Sequence, residues 1–108
     1  MTTPEGKLAQ YLISRCRSMG LAQRKTAYES RRGCPDRLVL GEGHHAFIEL
    51  KAAGQKPRRE QVHEIELLNR AGLKAYVASS KEEIDRILEE MRSAHGELNT
   101  SPVSETDC

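Results

Sequence analysis

The spacing of apolar residues along the chain predicts helices and strands, because the two structures bring side chains to one face with different periods. The first clear pattern covers residues 4–19, where Leu8 and Leu12 begin an apolar stripe at helical spacing. Thr3 is a suitable N-cap ahead of this stripe, and Gly20 is a suitable C-terminal stop. The pattern predicts a first helix with these bounds.

Three segments typical of strands follow the first helix. Residues 21–28 carry a weak pattern that favours a short edge strand. The apolar runs "DRLVL" (36–40) and "AFIELKA" (46–52) are stronger, and the "GEGHH" between them is typical of a hairpin turn. His44 and His45 are accordingly expected to be exposed turn residues.

A second helix is predicted over residues 61–71, which Gly72 ends. Its apolar positions share helical spacing and are Val62, Ile65, Leu68 and Ala71. His63 is expected on the surface of this helix. The following run "LKAYVAS" (73–79) is short, apolar and preceded by glycine, which favours a buried strand over a helix.

The last predicted helix lies in "SSKEEIDRILEEM", with Ser80 or Ser79 as N-cap and Glu83 as the capping-box partner. Beyond Ser93 the chain is polar and poor in apolar residues, so residues 94–108 are predicted to form a disordered tail. The element order αβββαβα therefore predicts an α/β fold in one domain, residues 1–93, with a mixed four-stranded sheet flanked by helices.

Composition limits the function without assigning it. The 108 residues are 37% hydrophobic and 31% charged, with a net charge of only +1, so any affinity for nucleic acid must come from the local placement of the basic residues. No apolar run approaches the ~20 residues that span a bilayer, and "MTTPEGK" lacks the apolar core of a signal peptide. The cysteines, odd in number and without CxxC spacing, are typical of a reduced compartment. We expect a cytoplasmic protein with no membrane partner.

Three charges accompany the two strongest strand candidates, where burial would cost free energy unless the charges were paired or held a metal. In a strand Glu49 and Lys51 point the same way, and the hairpin brings Asp36 to the same edge. Two carboxylates with water are a set that Mg²⁺ prefers. The alternative is an exposed strand face that carries an ordinary Glu–Lys pair.

The segment "PD", a hairpin and then "ELK" matches the PD-(D/E)xK nuclease signature. The wider stretches "RRGCPDRLVL", "AFIELKAAGQKPRREQ" and "LNRAGLKAYVASSKEEIDRIL" resemble the VRR-NUC family of that superfamily, in the short stand-alone form that phages carry. The resemblance extends from about Glu5 to Leu88. It implies a restriction-endonuclease-like core and phosphodiester hydrolysis that depends on Mg²⁺ or Mn²⁺, with no organic cofactor.

The resemblance also implies roles for individual residues. Asp36 and Glu49 would ligate the metal, with the backbone carbonyl of Leu50 as a third ligand. Lys51 would position or activate the attacking water.

Three further positions match residues that such nucleases place near the site. Gln61 corresponds to a polar catalytic-site residue, although a solvated residue at a helix start explains it about as well. Glu5 corresponds to a first-helix acid that completes the metal site, although the helix dipole also favours an acid there. Lys25 corresponds to a first-strand lysine that could contact phosphate.

Basic residues are concentrated in the two loops predicted to flank the metal edge, where they suit a DNA backbone and carry no base-reading information. They are Arg31, Arg32, Arg37, Lys56, Arg58 and Arg59. Each alone could be ordinary solvated loop charge.

Taken together, these features favour a metal-dependent DNA endonuclease. No aromatic stacking platform or base-reading helix is apparent, and the family resemblance points to branched DNA such as four-way (Holliday) junctions or flaps. A junction has two-fold symmetry and needs two cuts, which a C2 homodimer would supply economically. The alternative is a non-catalytic nucleic-acid-binding module that keeps the nuclease fold, against which the intact Asp36, Glu49 and Lys51 argue.

Overall fold

The computed structural model describes residues 3–100, and side chains from residue 3 to residue 92. Its elements are α1 (Pro4–Met19), β1 (Ala22–Lys25), β2 (Arg37–Gly41), β3 (His44–Leu50), α2 (Arg59–Arg70), β4 (Ala75–Ala78) and α3 (Lys81–Thr100). This order confirms the predicted α/β class and the sequence αβββαβα. Among the described residues, no helix combines the length and the apolar character needed to cross a membrane.

The four strands form one mixed sheet in the order β1-β2-β3-β4. The β1–β2 and β2–β3 pairs are antiparallel, and the β3–β4 pair is parallel. Parallel neighbours require a crossover connection, which α2 provides here. The first strand lies at the edge of the sheet, as its weak apolar pattern predicted.

The hydrophobic core lies between one face of the sheet and the helices α1 and α3. Its buried members alternate along β3 and recur at helical spacing on the two helices, as the apolar pattern requires. They are Leu8, Leu12, Cys16, Val39, Ala46, Ile48, Leu50, Ala78, Ile84, Ile87, Leu88 and Met91. The opposite face of β3 carries Glu49, so the core and the acidic residue are separated by strand alternation.

The predicted hairpin turn was too long. Gly41 pairs with His44, so only two residues connect the strands and both histidines lie in β3. The His44 ring packs across Gly41, where a Cβ atom would overlap it. His45 accepts a hydrogen bond from the backbone amide of Lys74 through Nε2, at 3.1 Å. A two-residue turn is favoured because its twist matches that of the paired strands.

The strand ends nearest the predicted site also differ from prediction. β2 begins at Arg37 and β3 ends at Leu50, so Asp36 and Lys51 lie just outside the strands. Both stay in line with the sheet, since the Asp36 carbonyl accepts from the Thr26 amide at 3.0 Å and the Lys51 amide donates to the β4 end. The two charged side chains therefore stand at the open edge of the sheet.

Helix α2 begins two residues earlier than predicted, and its buried side is different. Ile65 and Leu68 are half-buried, as the apolar stripe predicts, but Val62 is 37% exposed. The buried residue on this helix is Glu64. The apolar pattern did not predict the burial of Glu64 because this burial depends on a polar contact with a distant residue, described below.

Helix α3 has the predicted N-terminus. The Ser80 hydroxyl accepts from the Glu83 amide at 3.1 Å, and the Glu83 carboxylate accepts from the Ser79 amide at 2.6 Å. The helix continues to Thr100, into the first residues of the predicted tail, and the disorder of residues 94–108 stays a prediction. No proline interrupts the sequence between Lys81 and Pro102, which is compatible with a helix of this length. Residues 101–108 of the predicted tail lie outside the described residues.

Substitution of Gly33, in the loop before β2, tests the packing between this loop and α2. Its φ of +98° is in the left-handed region, and an added Cβ would lie 2.8 Å from the Glu60 carbonyl oxygen. Gly54 has a similar φ of +85° with open space around it. We expect Gly33→Ala to lower the free energy of unfolding by roughly 2–4 kcal/mol, and Gly54→Ala by only about 1 kcal/mol. Urea unfolding measures both, and equal losses would contradict a tight loop–helix contact.

Candidate metal and phosphodiesterase site

The two carboxylates predicted to form a site meet at the open edge of the sheet. Arg37 pairs with Ile48 across the hairpin, which places the preceding Asp36 beside Glu49. Asp36 Oδ2 accepts a hydrogen bond from the Leu50 amide at 2.9 Å. The geometry thus brings together two acidic residues that lie thirteen positions apart in the sequence.

Lys51 completes the predicted convergence. Its Nζ lies 3.4 Å from Glu49 Oε2, and its side chain is only 13% exposed. Strand alternation puts the two side chains on one face, although Lys51 is just past the last residue of β3. The pair is therefore a partly buried ion pair at the strand end and not the solvated Glu–Lys pair of an exposed face.

Glu49 is the most constrained charged residue of the site. Its residue surface is 1% exposed, and Oε2 accepts from the Gln61 side-chain amide at 2.7 Å. Oε1 is buried and has no hydrogen-bond partner among the described residues. Burial and, to a smaller extent, the neighbouring charge of Asp36 together raise the pKa of Glu49 to about 7, although Lys51 opposes both effects.

These features fit a divalent cation. A buried carboxylate oxygen without a donor is costly, and a cation beside two carboxylates would satisfy it and relieve their repulsion. Within residues 3–92, no group of three or more His, Cys, Asp or Glu side chains could hold a metal. The predicted set contains two carboxylates and a backbone carbonyl, with water in the other positions, which is a usual coordination for Mg²⁺.

Gln61 belongs to the site and also to the start of α2. Its side-chain oxygen accepts from the Arg58 amide at 2.7 Å, while its nitrogen donates to Glu49. Both ends of the amide are thereby used, which fixes its orientation. These contacts are compatible with both interpretations left open by the sequence, a residue at a helix start and a site residue, and a catalytic role for Gln61 stays a prediction.

Glu5 and Lys25 share a cleft with Asp36. This cleft of about 230 Å³ also includes Arg37 and Leu50. Glu5 lies close enough for its charge to contribute to the raised pKa of Glu49, although its effect is smaller than those of burial and Asp36. Its role as a metal ligand stays a prediction.

The six basic residues are not all in loops. Arg37 is the first residue of β2 and donates to the Gln23 side chain at 2.9 Å, and Arg59 is the first residue of α2. Arg31 and Arg32 are exposed in the loop before β2, and Lys56 and Arg58 are exposed before α2. The close approach of Gly33 to Glu60 makes the two basic segments neighbours.

Sequence reasoning missed Tyr28 and Glu64. The Tyr28 hydroxyl donates to Glu64 Oε2 at 2.5 Å, and an Arg31 nitrogen lies 3.9 Å from Oε1. Burial and the bond to Glu64 raise the pKa of Tyr28 well above its ordinary value. One signal was available: Glu64 follows Gln61 by three residues, so both lie on one face of α2.

Comparison with known proteins gives two similarities. The chain is 37% identical over 79 residues to a protein named "Putative nuclease p44" of Acyrthosiphon pisum secondary endosymbiont phage 1, which covers 72% of this chain and 85% of that protein. It is also similar to a solved structure described as a VRR_NUC domain, with a TM-score of 0.76 and 34% identity over 82% of this chain and 97% of the other. No protein-family model matches the chain.

The buried Glu49 carboxyl has a consequence for stability. Because its pKa is raised from 4.5 to about 7, the folded protein holds this proton to higher pH than the unfolded chain does. The associated stability is fully present below about pH 4.5 and is lost as the pH rises through 7. Between pH 5 and pH 8, in EDTA, the free energy of unfolding of the wild type should therefore fall by roughly 1–3 kcal/mol more than that of Glu49→Gln.

Denaturant unfolding at pH 5 and pH 8 measures this difference. Glu66→Gln, an exposed position on the same helix as Gln61, is the matched control and should follow the wild type at both pH values. Parallel pH profiles of the wild type and Glu49→Gln would contradict the raised pKa.

Proposed function

This chain belongs to the VRR-NUC family of nucleases, as its motif predicted, and from that membership we propose that it is a divalent-metal-dependent DNA endonuclease selective for branched DNA. The observation that carries the proposal is the buried Oε1 of Glu49, which has no hydrogen-bond partner among the described residues and lies beside Asp36 and Lys51. A carboxylate that served only to stabilise the fold would be expected to have both oxygens satisfied. The arrangement instead suits a group that completes its shell with a cation.

Asp36, Glu49 and the Leu50 carbonyl are the proposed ligands for Mg²⁺ or Mn²⁺. The bound ion would lower the pKa of a coordinated water and offset the charge that develops on the phosphate. Asp36 is held in place by the Leu50 amide, and Glu49 by Gln61. Both carboxylates are therefore oriented before metal or DNA arrives.

Lys51 is the proposed residue that positions the attacking water. Its ammonium stands next to Glu49 Oε2 at the strand end, where it can donate to a water or to a phosphate oxygen. In a largely buried setting such a charge stabilises developing negative charge more than it would in open water. Gln61 supports it indirectly by occupying the other side of the same carboxylate oxygen.

DNA recognition is proposed to depend on shape. Lys25 and Arg37 line the cleft at Asp36, and the exposed arginines before β2 and α2 extend basic character away from it. Lysine and arginine at such positions contact phosphates and do not distinguish bases. The chain has no tryptophan and one phenylalanine, so few side chains could stack on exposed bases. Branched DNA, including four-way junctions and flaps, is the proposed substrate.

Cleavage of labelled DNA tests the activity. We expect Mg²⁺ or Mn²⁺ to support cutting of a four-way junction or flap, EDTA to abolish it, and Asp36→Ala or Lys51→Ala to reduce the rate by roughly 100-fold or more. Lys74→Ala is the matched lysine control, since this exposed residue lies at the start of β4, away from the strand ends that carry the site. It should retain the wild-type rate.

Two results would contradict the proposal in different ways. Metal-independent DNA binding with no product would favour a non-catalytic binding module. Linear duplex cut as fast as the junction would contradict selectivity for branched DNA and leave the nuclease activity intact.

A homodimer is proposed because a two-fold symmetric junction requires two cuts. Analytical ultracentrifugation of the protein at micromolar concentration, alone and with a four-way junction, is the measurement. We expect two protein chains of 12.1 kDa in one complex, at least in the DNA-bound sample. A single protein chain per junction under cleaving conditions would contradict it.

A further inference from the structure

The buried carboxylate of Glu64 is not part of the proposed chemistry, yet it is the one buried residue of α2. Glu64 is 8% exposed, while Val62 and Leu67 on the same helix are 37% and 48% exposed. In α1 and α3, apolar residues are buried instead. No residue of α2 belongs to the hydrophobic core cluster, so polar contacts contribute to the position of this helix.

Asn69 ties the end of α2 to Ala75 of β4 by two hydrogen bonds, and Glu64 ties the middle of the helix to the loop between β1 and β2. Its Oε2 accepts from the Tyr28 hydroxyl at 2.5 Å, and its Oε1 lies 3.9 Å from the guanidinium of Arg31. A hydrogen bond to a charged acceptor is shorter and stronger than one between neutral groups. The Arg31 side chain is 68% exposed, so its ion pair contributes much less. Tyr28 is therefore the main partner.

The same loop carries the first metal-ligand candidate. Thr26 binds the end of the loop twice, through its amide to the Asp36 carbonyl and through its hydroxyl to the Pro35 carbonyl at 2.6 Å. Gly33 approaches the Glu60 backbone in the first turn of α2. The loop is thus tied to β1, to α2 and to the start of β2.

Helix α2 carries Gln61, the residue that contacts Glu49. Gln61 lies one turn before Glu64 on the same helical face, and its amide donates to Glu49 Oε2 at 2.7 Å. A rotation or shift of α2 would move Gln61 away from Glu49. Glu64 consequently stands where the Asp36 loop and the Gln61 helix are joined.

We propose that Glu64, through its hydrogen bond to Tyr28, is a positioning residue that fixes the Asp36 loop against α2 and so holds Gln61 on Glu49. The expected effect on DNA cleavage rests on the proposed nuclease function. The expected effect on the position of Gln61 rests on the contacts alone. Glu64 does not touch the proposed metal or water. Its effect on cleavage passes through Gln61, since misplacement of a supporting group by about an ångström can cost a large factor in rate.

The kinetic experiment compares Tyr28→Phe, Glu64→Gln and Glu64→Ala in metal-dependent DNA cleavage. Tyr28→Phe removes the donor with little change in volume and should lower kcat about tenfold with KM changed less than about twofold. Glu64→Gln keeps an acceptor oxygen and should retain a kcat within about threefold of wild type, whereas Glu64→Ala should lose at least as much as Tyr28→Phe. Glu66→Ala removes an exposed acid from the same helix and should leave both parameters unchanged.

A double-mutant cycle distinguishes positioning from general stabilisation. If Tyr28 and Glu64 act through Gln61, then Tyr28→Phe should cost less than about twofold in a Gln61→Ala background. A full tenfold loss in that background would overturn the proposal. So would a wild-type kcat in Tyr28→Phe, or an equal loss in Glu66→Ala.

A second measurement does not need activity. The side-chain amide NMR signals of Gln61 should shift and lose protection from hydrogen exchange in Tyr28→Phe, and should be unchanged in Glu66→Ala, both without added metal. Unchanged Gln61 signals in Tyr28→Phe would overturn the proposal. If the wild-type protein cleaved no DNA, the proposed function would fail, and the Gln61 signals alone would decide whether Glu64 positions that residue.

Discussion

Burial of the Glu49 carboxylate is the constraint on which the arrangement of this molecule depends. The group sits on β3, 1% exposed, and an ionised carboxylate in that position must recover its lost hydration from neighbours. Gln61 supplies one hydrogen bond and Lys51 supplies a charge, but Oε1 receives nothing from the described residues. The pKa of Glu49 is raised chiefly because the carboxylate has lost this hydration. A divalent cation would meet it, which connects an unfavourable feature of the fold to the proposed chemistry.

The two faces of the sheet are held in different ways. On one face α1 and α3 pack against alternate residues of β3 in an apolar core. On the other face α2 buries a carboxylate and reaches Glu49 through an amide. Apolar packing tolerates small adjustments, while hydrogen bonds are directional and fix orientation. The face that would perform chemistry is thus the one held by directional contacts, and stability comes mostly from the opposite face.

Charge placement matters more than total charge. The chain carries 17 basic and 16 acidic residues, so its net charge describes neither the site nor its surroundings. Acidic groups converge at the strand ends, and Lys25 and Arg37 line the adjoining cleft. The close packing of Gly33 on α2 brings the two arginine-containing segments together beyond it. A phosphate backbone laid across this region would meet cationic side chains around the proposed metal site.

The element order, the mixed sheet and the convergence of Asp36, Glu49 and Lys51 could be predicted from the residues alone, because they follow from local periodicity and from strand alternation within one hairpin. Local patterns also placed Gln61 at the start of a helix, although they could not establish that one amide would serve both the helix and Glu49. The burial of Glu64 could not be predicted in this way, since its partner Tyr28 is 36 residues away in the sequence and only folding brings the two together. The same limitation explains why Val62, in the predicted apolar stripe of α2, is more exposed than Glu64. Periodicity describes which residues prefer burial, whereas a polar residue becomes buried only when a distant part of the chain supplies its hydrogen bond.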